Sequence, residues 1–166
     1  GKNYKSRFDL IVALNIDMRS EERERMISFV NSTPTYDGGF HHDRIKRLYI
    51  NHIKDRLERM CKKEKLTLVD NDILAGVTFT IGIIMPNPRF ESQTKRKLVR
   101  DIELEKAIEE FMEKSMKGFA KNNEKYFELI IERARARVRF SELKDAHKLG
   151  KKQRRERVEK LLDANE

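Results

Sequence analysis

The chain has 166 residues, with 37 Lys and Arg against 28 Asp and Glu and a formal net charge of +9. Charged residues make up 39% and apolar ones 38%, a balance too polar for one large globule, so solvated helix is expected outside a modest core. The longest mostly apolar stretch, 77–85, is far short of the ~20 residues of a membrane span, the opening GKNYKSRF lacks a signal-peptide apolar core, and the single cysteine excludes an internal disulfide or a cysteine zinc cluster.

The first hundred residues carry period-2 patterning and turn signals. Phe8, Leu10, Val12, Leu14, Ile16 and Met18 alternate with polar positions such as Asp9, Asn15 and Asp17, which predicts a strand with one buried face. SEERER reads as a charged turn, and Met26 to Asn31 as a second strand that pairs with the first as a hairpin. STPTYDGGF then reads as a loop. From His42 to Lys63, Ile45, Leu48, Tyr49, Ile53, Leu57, Met60 and Cys61 recur at spacings of three and four, the apolar stripe of a helix. Leu66 to Val69 suits a short strand. Asp70-Asn71-Asp72 supplies caps for a short helix or turn ending at Gly76. Val77, Phe79, Ile81, Ile83 and Met85 alternate again, and Pro86-Asn87-Pro88 ends that strand, because proline cannot donate to a ladder.

Beyond about Glu103 the period becomes helical. Leu104, Ala107, Ile108, Phe111, Met112, Ser115 and Phe119 form one stripe, and Phe127, Ile130, Ile131, Ala134 and Val138 another. Gly118 and Asn122-Asn123 are stop and restart signals between them. Residues 132–166 hold 12 Lys and Arg against seven Asp and Glu. More than half of the excess charge therefore lies in the last fifth of the chain, and a polyanion is the first partner to consider.

Several groups are weighed for chemistry. His41-His42-Asp43 lacks a third converging ligand, so a helix start with Asp43 favouring its dipole is expected rather than a metal site. Asp70-Asn71-Asp72 has the Gly and distal Glu of a calcium loop misplaced and reads as a turn. Cys61 lies on an apolar stripe and reads as packing. Arg133, Arg135, Arg137 and Arg139 fan onto two faces of a helix without interleaved acids. Two readings stand for them: a solvated face, or contact with nucleic-acid phosphates. Asn87 to Lys95 is a polar loop after a buried strand. Its amide, hydroxyl and ammonium suit phosphate oxygens, but no glycine-rich cradle accompanies them.

Pro88-Arg89-Phe90-Glu91-Ser92-Gln93-Thr94-Lys95 resembles the Q-T-K loop of type IIA DNA topoisomerases, the gyrase B and topoisomerase II group. In the same order, Phe29-Val30-Asn31, Thr35 and Gly38-Gly39-Phe40-His41 resemble that family's F-V-N…T…G-G-T-H. A helix follows, and the strand 77–85 leads directly into the loop. The motifs cover roughly residues 25–100. Asn-Pro before Phe90 and Ser92 before Gln93 resemble the eukaryotic and large-phage branches. Phe40 stands where the family has Thr, so the hydrogen bonding of that turn is expected to differ.

The resemblance implies an α+β transducer of the ribosomal protein S5 domain 2-like fold, a mixed sheet backed by helices with a left-handed crossover. Residues 1–122 would form this domain, and 123–166 a basic helical extension leading toward the DNA-cleavage core. It also implies that Gln93 and Lys95 contact the ATP γ-phosphate, Lys95 catalytically, in the nucleotide-binding domain of the same parent chain, while Thr94 shapes the loop. The parent would use ATP and Mg²⁺ to pass a DNA duplex through a double-strand break. Its other partners would be a second protomer, a cleavage subunit or domain, and double-stranded DNA. The family's transducers border the DNA passage, which favours Arg133, Arg135, Arg137 and Arg139 as DNA-binding residues.

The expected compartment is the cytoplasm (the host's if viral), or the nucleus if eukaryotic. Neither a nucleotide-binding nor a cleavage domain lies within these residues. The chain is therefore expected to be a fragment, inactive alone and without bound cofactor or metal. A mismatch-repair MutL-like ATPase fragment and a non-catalytic basic nucleic-acid-binding module are the alternatives.

Overall fold

The computed structural model describes residues 7–163; the N-terminal six residues and the last three, which belong to the expected domain and extension, lie outside the described residues. Four strands form one mixed sheet in the order β1-β4-β2-β3. They are β1 (Asp9–Ile16), β2 (Arg25–Val30), β3 (Thr33–Pro34) and β4 (Val77–Ile84). Four helices complete the fold: α1 (Phe40–Glu64), α2 (Asp70–Leu74), α3 (Ile102–Asn122) and α4 (Glu124–Asp163).

The expected hairpin of the first two strands does not form. β4 lies between them, antiparallel to β1 and parallel to β2. The reason lies in the length of their connection: residues 17–24 are more than the two to five of a tight hairpin and must cross the ~10 Å that two strand spacings demand. Gly76 fixes this arrangement. Its N–H donates to Glu22 O at 2.8 Å, and its carbonyl accepts from Asp17 N at 2.9 Å. Its φ is +74°, and a Cβ there would lie 2.2 Å from Asp17 O.

Two smaller expectations also change. The 31–39 loop contains the short strand β3, because Asn31 and Ser32 both take positive φ (47° and 65°) and turn the chain back onto β2 with Phe29 opposite Pro34. Leu66–Val69 is not a strand, and the Thr67 carbonyl accepts instead from Arg137 at 2.5 Å.

The core lies between one sheet face and the helices. β4 buries Val77, Phe79, Ile81 and Ile83 in alternation, α1 contributes Ile45, Tyr49, Ile53 and Leu57, and α3 contributes Leu104, Ile108, Met112 and Met116. Cys61 packs at the end of the α1 stripe, its thiol pushed up in pKa first by burial. The helical restart falls at Asn123, between α3 and α4. The core continues across it, since Tyr126, Phe127, Ile130 and Ile131 belong to the same cluster. From Arg139 to Arg157 every residue of α4 is exposed. Among the described residues no helix is long and apolar enough to cross a membrane.

Candidate functional site

Met85 ends the central strand, and beyond it the chain folds into a closed finger. Val99 N donates to Arg89 O at 2.8 Å, Glu91 N donates to Lys97 O at 3.0 Å, and Phe90 bridges Leu98. Leu98 is buried and plugs the base into the core. At the tip, Lys95 N donates to Ser92 O at 3.1 Å, closing a turn with Gln93 and Thr94 at its centre. Thr94 Oγ1 lies 2.7 Å from Ser92 Oγ. Thr94 therefore shapes the turn, while Gln93 and Lys95 are exposed.

The three consecutive cations of this finger are used differently. Arg96 makes a two-pronged pair with Asp37 at 2.9 and 3.0 Å and lies 5.7 Å from the Tyr36 ring centroid. Lys97 pairs with Glu91 at 2.9 Å across the finger. The Lys95 ammonium has no ion-pair or hydrogen-bond partner among the described residues. Its backbone is left-handed at φ +55°, a conformation that costs a non-glycine residue on the order of 1 kcal/mol. The lysine is thus held at the tip with its ammonium exposed beside two neutralised neighbours, an arrangement that can accept an anion.

The glycine-rich turn and the finger form one unit although they are distant in sequence. Asp37 N donates to Arg96 O at 2.9 Å, and Leu98 N donates to Gly38 O at 3.1 Å. Gly39 runs against Leu98 with φ +129°, and a Cβ there would sit 2.5 Å from Leu98 O. Only glycine permits so close an approach. Asn31 holds the other side of the base: its amide donates to Met85 O at 2.8 Å and accepts from Met85 N at 2.9 Å. It thereby replaces a missing ladder rung where β4 stops. Phe40 is the first residue of α1, and the N-cap before it, Gly39, has no side chain to cap the helix.

Beneath the turn, Ser28 and Thr35 are buried and bonded to each other. His41 Nε2 lies 3.2 Å and His42 Nε2 2.5 Å from Ser28 Oγ. Burial first, then neighbouring His42, lowers the His41 pKa to about 3, and burial lowers that of His42. These histidines are neutral packing groups. Among the described residues no set of three His, Cys, Asp or Glu side chains converges to hold a metal ion. The finger offers an amide and an ammonium suited to phosphate oxygens, and its one carboxylate, Glu91, is paired with Lys97.

The arginine run, expected to contact DNA, is largely bonded within the fold. Arg133 is buried; it donates to Ala75 O at 3.0 Å and to Ser20 O at 2.9 Å. Arg137 pairs with the buried Asp72 carboxylate at 2.9 Å, and Arg135 pairs with Glu64 at 2.5 Å. These three fasten α4 to α2, to the β1–β2 connection and to the end of α1. Arg133 is removed from any partner by its burial, while Arg139 remains exposed. Sequence reasoning missed both the Asp37–Arg96 pair and the Asn31 clamp, because their partners lie 59 and 54 residues away. Only the motif glycines hinted at the close approach.

Comparison with known proteins gives concordant matches. The family model described as DNA gyrase B matches residues 2–162. The DNA gyrase B subunit of Treponema denticola is 30% identical over 149 residues, covering 83% of this chain and 23% of the relative. The corresponding gyrase protein of Staphylococcus aureus is 28% identical over 141 residues, covering 81% of this chain and 22% of the relative. The chain thus spans about a fifth of the length of these relatives. Both are bacterial, and they lend no support to the finer placement in the eukaryotic or large-phage branch. Among solved structures, the 43K ATPase domain of Thermus thermophilus gyrase B, in complex with an aminocoumarin, superposes with a TM-score of 0.70 at 19% identity. That match covers 89% of this chain and 39% of the other. The ATP-binding domain of Francisella tularensis topoisomerase IV gives 0.58 at 21% identity, covering 79% and 37%. At these identities the structural matches establish the fold alone.

Proposed function

Since this chain belongs to the DNA gyrase B family of type IIA topoisomerases, we propose that it is the transducer segment of an ATP-dependent member, coupling ATP binding and hydrolysis to the passage of a DNA duplex. In this reading residues 1–122 are the transducer domain, of the ribosomal protein S5 domain 2-like type, and 123–166 the helical extension toward the cleavage core, whose first turns pack on the domain's core. The observation that carries this reading is the finger 89–99. It is stitched to the glycine turn and to Asn31, and it presents an unpaired Lys95 beside an exposed Gln93.

In this reading the finger reaches into the nucleotide-binding domain of the same parent chain. Lys95 places its ammonium against the γ-phosphate, where charge develops as phosphoryl transfer proceeds, and Gln93 donates a neutral hydrogen bond. Hydrolysis removes the anion, so the finger gains and loses a partner with nucleotide state. That differential contact is what a switch requires. The stitching to Asp37, Gly38 and Asn31 gives the change a direct route to β4 and β2. Ligands for Mg²⁺ and the remaining contacts to ATP come from outside this chain. A second protomer and a cleavage subunit or domain complete the machine.

The test is Lys95→Ala in the full-length parent. ATP turnover is expected to fall on the order of a hundredfold, as for a lost transition-state donor. Strand passage should fall with it, and Gln93→Ala should do less. The 166-residue chain carrying Lys95→Ala should keep its thermal midpoint within about 2 °C, since Lys95 lies outside the core. Near-normal turnover in Lys95→Ala would remove the reading.

A further inference from the structure

With three of its four predicted arginines bonded within the fold, α4 must meet a polyanion elsewhere if it meets one at all. The charge pattern of its exposed part indicates where. From Arg139 to Arg157 the helix holds eight Lys and Arg against three Asp and Glu, and every residue is exposed. At 100° per residue, Lys144, Lys148, Lys151 and Arg155 fall within about 60° of one another. They form a stripe about 16 Å long at 1.5 Å per residue. Arg133 and Arg137 fall on the same line. Nearer the body, this face of the helix is satisfied by carbonyls and by Asp72. Farther out, the face carries the same charge with no part of the described chain over it.

Acidic neighbours do not cancel the stripe. Asp145 reaches Lys148 only at 3.9 Å, both side chains being well exposed, and exposed pairs of that length contribute little. Lys144 lies 4.5 Å from the Phe140 ring centroid, which steadies the side chain and leaves its charge outward. Glu142 and Glu156 point toward the flanks, more than 90° from the centre of the stripe by the helical count.

We propose that Lys144, Lys148, Lys151 and Arg155 form a phosphate-contacting rail along which duplex DNA lies, independent of sequence. The choice of duplex DNA, rather than an acidic protein surface, rests on the strand-passing function proposed for the chain. The geometry suits it, because four cations in line over about 16 Å can lie along a rod whose charges, one per ~1.7 Å of axis, supply a phosphate to each. No base-reading group lies on the stripe, so binding is backbone-directed.

The experiment measures binding of the 166-residue chain to a labelled 30-base-pair mixed-sequence duplex across a salt series. Four phosphate contacts give a slope of log K against log salt near −3.6, which is about a 150-fold weakening between 50 and 200 mM salt. Replacing Lys144, Lys148, Lys151 and Arg155 together by Ala should remove most of that slope. A control of equal charge, Ala at Lys106, Lys114, Lys117 and Lys121 on α3, should keep most of it. Circular dichroism confirms that the helices persist in both variants. An unchanged slope in the stripe variant, or an equal loss in the α3 control, would overturn the rail. So would poly-L-glutamate binding the wild-type chain as tightly as the duplex does, since that marks a general acidic-partner surface. None of these outcomes touches Lys95: the rail fails while ATP coupling stands, or the reverse, according to which assay gives way.

Discussion

The finger at 89–99 and the arginine run at 133–139 are both strongly basic, yet the fold uses their charges in opposite ways. In the finger, two of three consecutive cations are neutralised at close range and Lys95, at the tip, has no partner among the described residues. In the run, Arg133, Arg135 and Arg137 are bound to carbonyls and carboxylates of the same chain, and the free positive charge begins only at Arg139. A charge on a helix therefore indicates a partner only after its own fold's acceptors have been counted. Buried carbonyls at the ends of α2 and of the β1–β2 connection need donors. An arginine from a neighbouring helix satisfies several at once with its fixed fork of N–H groups.

The contrast between the two regions meets its severest challenge at Arg133. If it is a structural clamp, Arg133→Ala leaves buried carbonyls unpartnered and should cost on the order of 3 kcal/mol. For a chain of this size that lowers the thermal midpoint by roughly 6–12 °C. Its effect on duplex binding should be no larger than that of losing folded protein. A stable Arg133→Ala variant with weakened DNA binding would return this residue to the interface.

A smaller effect is expected at Arg96, which shares features of both regions by being paired yet adjacent to Lys95. Its pair with Asp37 braces the tip of the finger, so Arg96→Ala in the full-length parent should lower ATP turnover roughly tenfold through misplacement of Lys95. The thermal midpoint of the 166-residue chain should barely move, since exposed ion pairs add little. The charge-swapped pair Asp37→Arg with Arg96→Asp should recover part of the loss. Normal turnover in Arg96→Ala would show that the backbone stitching alone holds the tip.

The smallest effect is a pH slope from the cluster beneath the turn. The folded pKa of His41 lies near 3 against 6.5 for an ordinary histidine, so the unfolded chain takes up the proton first as the pH falls. The contribution is complete above about pH 6.5 and drains away below it. His42 shifts in the same direction. Between pH 6.5 and 5, above most carboxylate titration, the thermal midpoint should decline, and His41→Gln should flatten the decline. An identical slope in that variant would place the proton uptake elsewhere.

Much of this architecture was legible in residue order. The stripes of α1 and α3 and the alternation of β1 and β4 follow from local periodicity, and the short helix before Gly76 from its polar start; there Val69 is the N-cap and Asp72 alone of the three expected caps bonds it. The pairing of β1 with β4 was not legible, although the eight-residue connection that prevents a hairpin was visible. Turn chemistry at Asn31-Ser32 was also missed, because that pair lacks the glycine that normally marks such a turn. At the candidate site, the resemblance to the family's motifs singled out Gln93, Lys95, Gly38 and Gly39. Their joining was hidden, since a contact between Gly39 and Leu98 has no local signature. The roles of the arginines were hidden for the same reason: their acceptors at Ser20, Glu64, Asp72 and Ala75 lie about 60 or more residues away in the chain.

The coupling function stands or falls with Lys95 as the group this chain offers to the terminal phosphate of ATP. The direct measurement is affinity labelling of the full-length parent with an ATP analogue that carries an amine-reactive group on its γ-phosphate, followed by peptide mapping. The label is expected on Lys95 and should be suppressed by excess ATP, while Lys97, held in its pair with Glu91, stays unmodified. ATP-protected labelling that reaches other lysines of the parent and leaves Lys95 untouched would contradict that role.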